Sequence, residues 1–236
     1  LLDRYNETMA VISHILPLEE VTFFQDMPRV LVARIEGYMY VREYEPRQII
    51  HFPDDTCDYL YWVRGGRVRI TRNSQEEKEF TFRHVRTGDC FGEEALGHRS
   101  RRENYAEALE NTTLWLLRGD DAGRLMRDDN IFAGAMAQHL IVRLSETEEV
   151  LVSTVFEPVR QRVIMGLARL LPRPMTSGLV QLSLTHQELA NLIGSTRETT
   201  TFALHSLRDE GLLTIKNRQI IINEPGVLLE RSGLRI

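Results

Sequence analysis

Two short stretches of this 236-residue chain concentrate side chains that can do chemistry. In the first, Glu93, Glu94, His98 and Arg102 lie within ten positions and can be cast as acid, base and electrophile. Catalysis there would still want a nucleophile beside a base, a metal-ligand set or a glycine-rich phosphate loop at a strand-to-helix turn, and the sequence supplies none of these. In the second, Thr185 to Leu207 reads THQELANLIGSTRETTTFALHSL, with Arg197 and Glu198 directly after a threonine. Arginine can fork two hydrogen bonds onto guanine O6 and N7, and glutamate can accept from cytosine N4, so this pair suits base edges in a DNA groove. Thr196, Thr199 and Thr200 add short hydroxyls able to hold phosphates at a positive helix end, and Thr201 is expected to point outward with Arg197 and Glu198.

Such side chains need a rigid carrier. Thr185 and Glu188 have the spacing of a capping box, which opens a helix whose buried face is Leu189, Leu192 and Ile193. Thr185 and His186, at the start of that helix, complete the candidate DNA-binding set. Gly194 turns the chain, and Thr196 caps a second helix whose Phe202 or Ala203, Leu204 and Leu207 can face the first. This is the layout of a helix-turn-helix, in which outward residues near the N-terminus of the second helix meet the major groove. The competing reading is an ordinary helical hairpin with a solvated Arg–Glu pair. Glu210 to Leu213 and Ile215 to Asn223 then read as a β-hairpin, a wing that can brace the motif on the DNA backbone.

Earlier in the chain, Tyr59 to Val63, Arg67 to Thr71, Glu79 to Val85 and Thr112 to Leu117 are rich in Val, Ile, Tyr, Phe and Thr. They alternate with the turn signals Pro53-Asp54-Asp55, Gly65-Gly66, Asn73-Ser74 and Thr87-Gly88-Asp89, predicting an antiparallel β-body from Arg42 to Leu117. Leu2 to Leu16 and Pro28 to Gly37 read as short helices before it. A proline-free stretch from Asp120 to Phe156 follows, predicting one long helix. Ala133, Ala137, Leu140, Leu144, Thr147 and Leu151 step along it by four and three, the spacing of a coiled-coil seam. Either a second copy of the chain or the β-body covers that seam. Pro158 marks the passage into a last, mostly helical region. The expected division is a β-body with short flanking helices over 1–119, a long helix over 120–156 and a DNA-binding domain over 157–236.

Charge follows the same division. The chain carries −5 in total, yet Phe156 to Ile236 has nine Arg and one Lys against seven acidic residues, a balance of +3 that leaves −8 for 1–155. A mildly basic end on an acidic body suits DNA binding, because neutralised phosphates release counterions. Cys57 and Cys90 are too few for a zinc ribbon, a disulfide framework or a thiolate-held cluster, so no metal is expected. No apolar run approaches the ~18 residues of a spanning helix, and the start of the chain lacks the layout of a secretion signal, so no membrane partner and a cytoplasmic location are expected.

The order β-body, long helix and Thr-x-Gln-Glu-Leu-Ala…Gly-Ser-Thr-Arg-Glu-Thr resembles the CRP/FNR family of bacterial transcription regulators. The resemblance covers nearly the whole chain and includes Gly88-Asp89-Cys90-Phe91-Gly92-Glu93 and the strand pair around Gly65-Gly66. It implies an α+β fold: a β-roll or jelly roll like a cyclic-nucleotide-binding domain, a long dimerisation helix and a C-terminal winged helix-turn-helix. It further implies a homodimer joined through the long helix, acting on a two-fold symmetric site in double-stranded DNA, with RNA polymerase as a further partner. By position, Arg197 and Glu198 match the family's base-reading pair and Thr199 a phosphate-contacting residue, which implies a GTGA-type half-site. Phe202 replaces an arginine that reads a further base, leaving that base relaxed or read through a thymine methyl.

In the cyclic-nucleotide branch of the family, Gly92 and Glu93 would hold the ribose, Arg102 the cyclic phosphate and Thr147 the adenine. Glu103 replaces a hydroxyl residue beside the phosphate, and a carboxylate there costs on the order of 1 kcal/mol or more. Glu148 likewise replaces a hydroxyl residue on the long helix. Three effector states therefore stay open: a cyclic nucleotide such as cyclic AMP, another small molecule or redox signal, or DNA binding with no ligand and Glu93–Arg102 as a salt bridge. A cyclic-nucleotide-responsive module without DNA function, and an enzyme, are the competing readings of the whole chain.

Overall fold

The computed structural model describes residues 16–76, 78–97, 101–172, 178–216 and 219–234. The expected helix at Leu2 to Leu16 lies almost wholly outside the described residues, as do His98 and the tip of the wing hairpin. The chain divides into two compact units, Leu1–Arg72 with Arg83–Leu144, and Asn73–Phe82 with Ser145–Ile236.

In the first unit, α1 (Arg29–Glu36) precedes β1 (Met39–Tyr44), β2 (Ile49–His51), β3 (Tyr59–Gly65) and β4 (Arg67–Asn73). Then come β5 (Glu79–Arg86), whose residues from Arg83 on lie in this unit, β6 (Cys90–Phe91), β7 (Tyr105–Ala108), β8 (Thr112–Arg118) and α2 (Gly119–Asp128). The strands form two four-stranded sheets, ordered β1-β8-β3-β6 and β2-β7-β4-β5. Alternation along the strands feeds a β-lined core of Val63, Val68, Ile70, Ala106, Leu114 and Leu116, within which Tyr61 stacks on Phe91 at 4.6 Å. A second cluster joins Leu60, Trp62 and Leu117 to Val32 and Ile35 of α1.

The expected single helix over 120–156 is two helices. Asp129 is extended, at φ −137° and ψ 107°, and separates α2 from α3 (Asn130–Phe156). Its carboxylate accepts from the backbone amides of Ile131 and Phe132, so it terminates one helix and caps the next. On α3, Phe132 and Met136 are buried in the first unit's core, with His139 and Arg143 half-buried on the same face. The seam lies on a different face. Ala133 is half-buried, whereas Ala137, Leu140, Leu144, Thr147 and Leu151 are exposed, Leu144 and Leu151 at 60% and 63%. Within the first unit the β-body therefore leaves Ala137, Leu140 and Leu144 uncovered.

The second unit holds α4 (Val159–Arg169), β9 (Val180–Leu182), α5 (His186–Ile193), α6 (Arg197–Asp209), β10 (Leu213–Lys216), β11 (Gln219–Ile222) and α7 (Pro225–Ser232). Its strands pair antiparallel in the order β10-β11-β9. Val163, Ile164 and Leu167 of α4, Leu189 and Ile193 of α5, and Leu204 and Leu207 of α6 share one core with the strand residues Ile220 and Ile222. This is a winged helix-turn-helix, so both units have the expected α+β architecture. Among the described residues no helix is long and apolar enough to cross a membrane.

Candidate DNA-reading helix and sensor pocket

The α5–α6 pair is set by local chemistry. The Thr185 hydroxyl accepts from the Glu188 amide at 3.1 Å, and the Glu188 carboxylate accepts from the Thr185 amide at 2.7 Å, closing the capping box. Gly194 ends α5 in the left-handed region at φ +63°, a conformation that costs a side-chain-bearing residue. Arg162 of α4 donates to the carbonyls of Ile193 and Gly194 at 2.7 and 3.1 Å, fixing the turn from behind. Thr196 then caps α6, its hydroxyl accepting from the Thr199 amide at 3.3 Å.

The cap orients the helix faces. Arg197, Glu198 and Thr199 are exposed on its first turn, while Ala203, Leu204 and Leu207 are buried against the unit's core. Phe202 takes the outward side at 79% exposure, so of the two alternatives for the buried face Ala203 is the one used. Thr201 is half-buried and its hydroxyl lies 2.9 Å from His186 Nδ1, joining two of the expected site residues to each other. Thr200 is a correction: it is 0% exposed and its hydroxyl has no hydrogen-bond partner among the described residues, so it cannot hold a phosphate. A signal for this was in the sequence, because Thr200, Leu204 and Leu207 fall on one helical stripe.

In the first unit, Gly92 adopts φ +84°, and a Cβ there would stand 2.8 Å from the Tyr59 carbonyl and the Tyr61 ring. Only glycine makes that turn, which carries Glu93 and Glu94 into a 3-10 turn. The structure does not pair Glu93 with Arg102. Glu93 Oε1 lies 2.9 Å from His139 Nε2, 3.6 Å from the Arg83 guanidinium and 3.7 Å from that of Arg143. Burial alone would raise the Glu93 carboxyl, but the His139 contact and the Arg83 charge outweigh it and bring it down to about 2.

Arg102 is engaged separately. Its side chain is 1% exposed, Nη1 donates to Glu94 at 3.0 Å, Nη2 donates to the Tyr59 carbonyl, and the guanidinium lies over the Tyr61 ring. Its Nε is buried with no partner among the described residues. Burial and the Arg102 charge lower the nearby His51 to about 4, leaving a neutral ring. Glu103 sits on the surface in an ion pair with Arg72, and Thr147 is exposed on α3. Burial pushes the Cys90 thiol well up, which favours its neutral form, and Cys57 is half-buried. Sequence reasoning missed Arg83, His139, Arg143 and Glu94 as the partners that fill this site.

As placed, these side chains satisfy one another, so a cyclic nucleotide would have to displace them. The guanidinium fork is filled by a carboxylate and a carbonyl, and the ribose carboxylate by three basic side chains.

Residues 161–231 match a family model described as a Crp-like helix-turn-helix domain, and residues 41–129 one described as a cyclic nucleotide-binding domain. The chain is 33% identical over 194 residues to the cyclic AMP receptor protein of Thermus thermophilus, a match covering 82% of this chain and 88% of that protein. The chain belongs to the CRP/FNR family. The global nitrogen regulator of Synechococcus elongatus is 27% identical over 82% of this chain and 90% of its own length. A solved CRP/FNR-family transcriptional regulator of Thermus thermophilus superposes with a TM-score of 0.71 at 29% identity, over 84% of this chain and all of that one. This CRP/FNR protein is thus a DNA-binding transcription regulator, and its relatives include one named for cyclic AMP and one named for nitrogen regulation.

Proposed function

We propose that this CRP/FNR regulator works as a homodimer on a two-fold symmetric DNA site, with Arg197 and Glu198 reading bases in each half-site. The observation that carries the reading is the capped start of α6, which leaves Arg197 and Glu198 exposed side by side while the rest of the helix is held by its buried face. Thr196 and Thr199, on that same positive helix end, serve the phosphate backbone, with Thr185 at the start of α5 beside them. His186 and Thr201 act together to fix the spacing of the two helices. The exposed seam of Ala137, Leu140, Leu144, Thr147 and Leu151 supports pairing of α3 with its copy, because a monomer gains nothing by leaving that stripe in water. RNA polymerase is the further partner the family implies, and cytoplasm the compartment.

Selection of bound DNA from a random pool tests this directly. The expected product is a palindrome with half-sites one helical turn apart and a guanine whose preference vanishes in Arg197→Ala. A wild-type pool without symmetry, or without that guanine, would sink the proposal.

For the sensor unit, the side chains favour DNA binding with no nucleotide bound. A cyclic nucleotide would have to displace Glu94 from Arg102 and at least one basic group from Glu93. The domain match and the name of the Thermus relative support the second reading, a cyclic-AMP effector. Calorimetry separates the two: heat saturating below millimolar cyclic AMP or cyclic GMP supports the nucleotide reading, and its absence supports the ligand-free one.

A further inference from the structure

Phe202 is 79% exposed on α6, although the same helix buries Ala203, Leu204 and Leu207 beside it. The ring therefore contributes nothing to the core of its own unit. Phe202 follows Glu198 by four residues, which puts it one turn along the same outward face, about 6 Å further down the axis at a rise of ~1.5 Å per residue. The intervening hydroxyl, that of Thr201, is occupied by the His186 ring at 2.9 Å. Below Arg197 and Glu198, the outward side of the helix is thus led by an apolar ring.

A helix docked by its first turn brings its second turn against the same groove. Of the groups that bases expose in the major groove, N7, O6, N4, N6 and O4 are hydrogen-bonding, and a phenyl ring next to one of them forfeits that group's water without replacing it. The thymine 5-methyl is the one apolar group in the set, and burying it against a ring removes two apolar surfaces from water together.

We infer that Phe202 is a specificity-determining residue that selects a thymine through its 5-methyl group, within two base pairs of the pair read by Glu198. The distance follows from the helix rise set against ~3.4 Å per base step. The inference rests on the proposal that α6 reads bases through Arg197 and Glu198, and names one further base and the chemistry that chooses it.

The experiment uses the full-length protein and synthetic duplexes of its selected site. The thymine in question is replaced by uracil, which keeps every hydrogen-bonding group and removes only the methyl. Wild-type affinity should fall about fourfold with one half-site changed and about fifteenfold with both, the size expected for losing one buried methyl each time. Phe202→Ala should bind the thymine and uracil duplexes equally, and Phe202→Arg should change the selected base to guanine. Circular dichroism melting of each variant checks folding, and the wild-type comparison of thymine with uracil needs no variant. Equal wild-type affinity for thymine and uracil duplexes, or a selected site with no thymine within two base pairs, overturns the inference. Guanine preference lost in Arg197→Ala but kept in Phe202→Ala shows that the helix reads bases, so failure of the thymine test then falls on Phe202 alone.

Discussion

Arg197 with Glu198 and Arg102 with Glu94 are the same two residue types, each pair confined to a short stretch of chain, yet the structure uses them in opposite ways. On α6 the arginine and glutamate are exposed, held out by a capped helix end whose buried face is elsewhere. In the β-roll the arginine is 2% exposed, pinned to Glu94 and a backbone carbonyl, and the neighbouring Glu93 is saturated by His139, Arg83 and Arg143. Charged side chains are available to a partner where the fold leaves them in water, and structural where it surrounds them with its own groups. Residue type and proximity in sequence do not separate these cases.

Four variants test that contrast, beginning with the one expected to do most. Leu144→Asp with Leu151→Asp places charge on the α3 seam. Sedimentation should show monomers, and DNA affinity should fall more than about a hundredfold, since two linked half-sites are reduced to one. Next, Arg102→Ala leaves the Tyr59 carbonyl and Glu94 without the donor they share. Denaturant unfolding should show a loss of about 3 kcal/mol with DNA specificity unchanged, as expected of a structural arginine.

Glu93 should make stability depend on acid. Its carboxyl is near 2 in the folded chain against an ordinary 4.5, so the unfolded chain binds the proton first as pH falls. The stabilisation, on the order of 3 kcal/mol, is complete above about pH 4.5 and is lost on the way down to about pH 2. Glu93→Gln should flatten the dependence of unfolding free energy on pH across that window, and an unchanged slope would show that the three basic groups do not hold the carboxylate. The smallest effect belongs to Thr200→Val. Removing a buried hydroxyl that has no partner among the described residues should stabilise the second unit by about 1 kcal/mol, raising Tm by a few degrees while leaving DNA affinity intact.

The DNA-reading end was largely legible in the sequence because its determinants are local. Capping box, glycine turn, second cap and apolar stripe all fall within Thr185 to Leu207, and the structure uses each of them. The longer strands β3, β4, β5 and β8 were legible through β-rich runs between turn signals. Two-residue β6 and three-residue β2 and β9 were not, since they are too short to carry a period. The break at Asp129 was hidden by the lack of proline, although Asp128-Asp129-Asn130 is a cluster of capping residues.

The pocket was the least legible part. Glu93 and Arg102 could be picked out, but His139 reaches Glu93 from 46 residues away. Glu94, read in the sequence only as one member of a possible acid, base and electrophile set, is what occupies Arg102. Tertiary pairing of this kind leaves no local pattern.

The central claim is that Arg197 faces a base while Arg102 faces its own chain. Fluorescence anisotropy at fixed salt, with the selected palindrome and a duplex in which the selected guanine of each half-site is changed to adenine, tests it most directly. Wild type should prefer the guanine duplex by at least about tenfold per half-site, and Arg197→Ala should bind the two duplexes alike. An Arg197→Ala protein that keeps the full guanine preference would contradict the account.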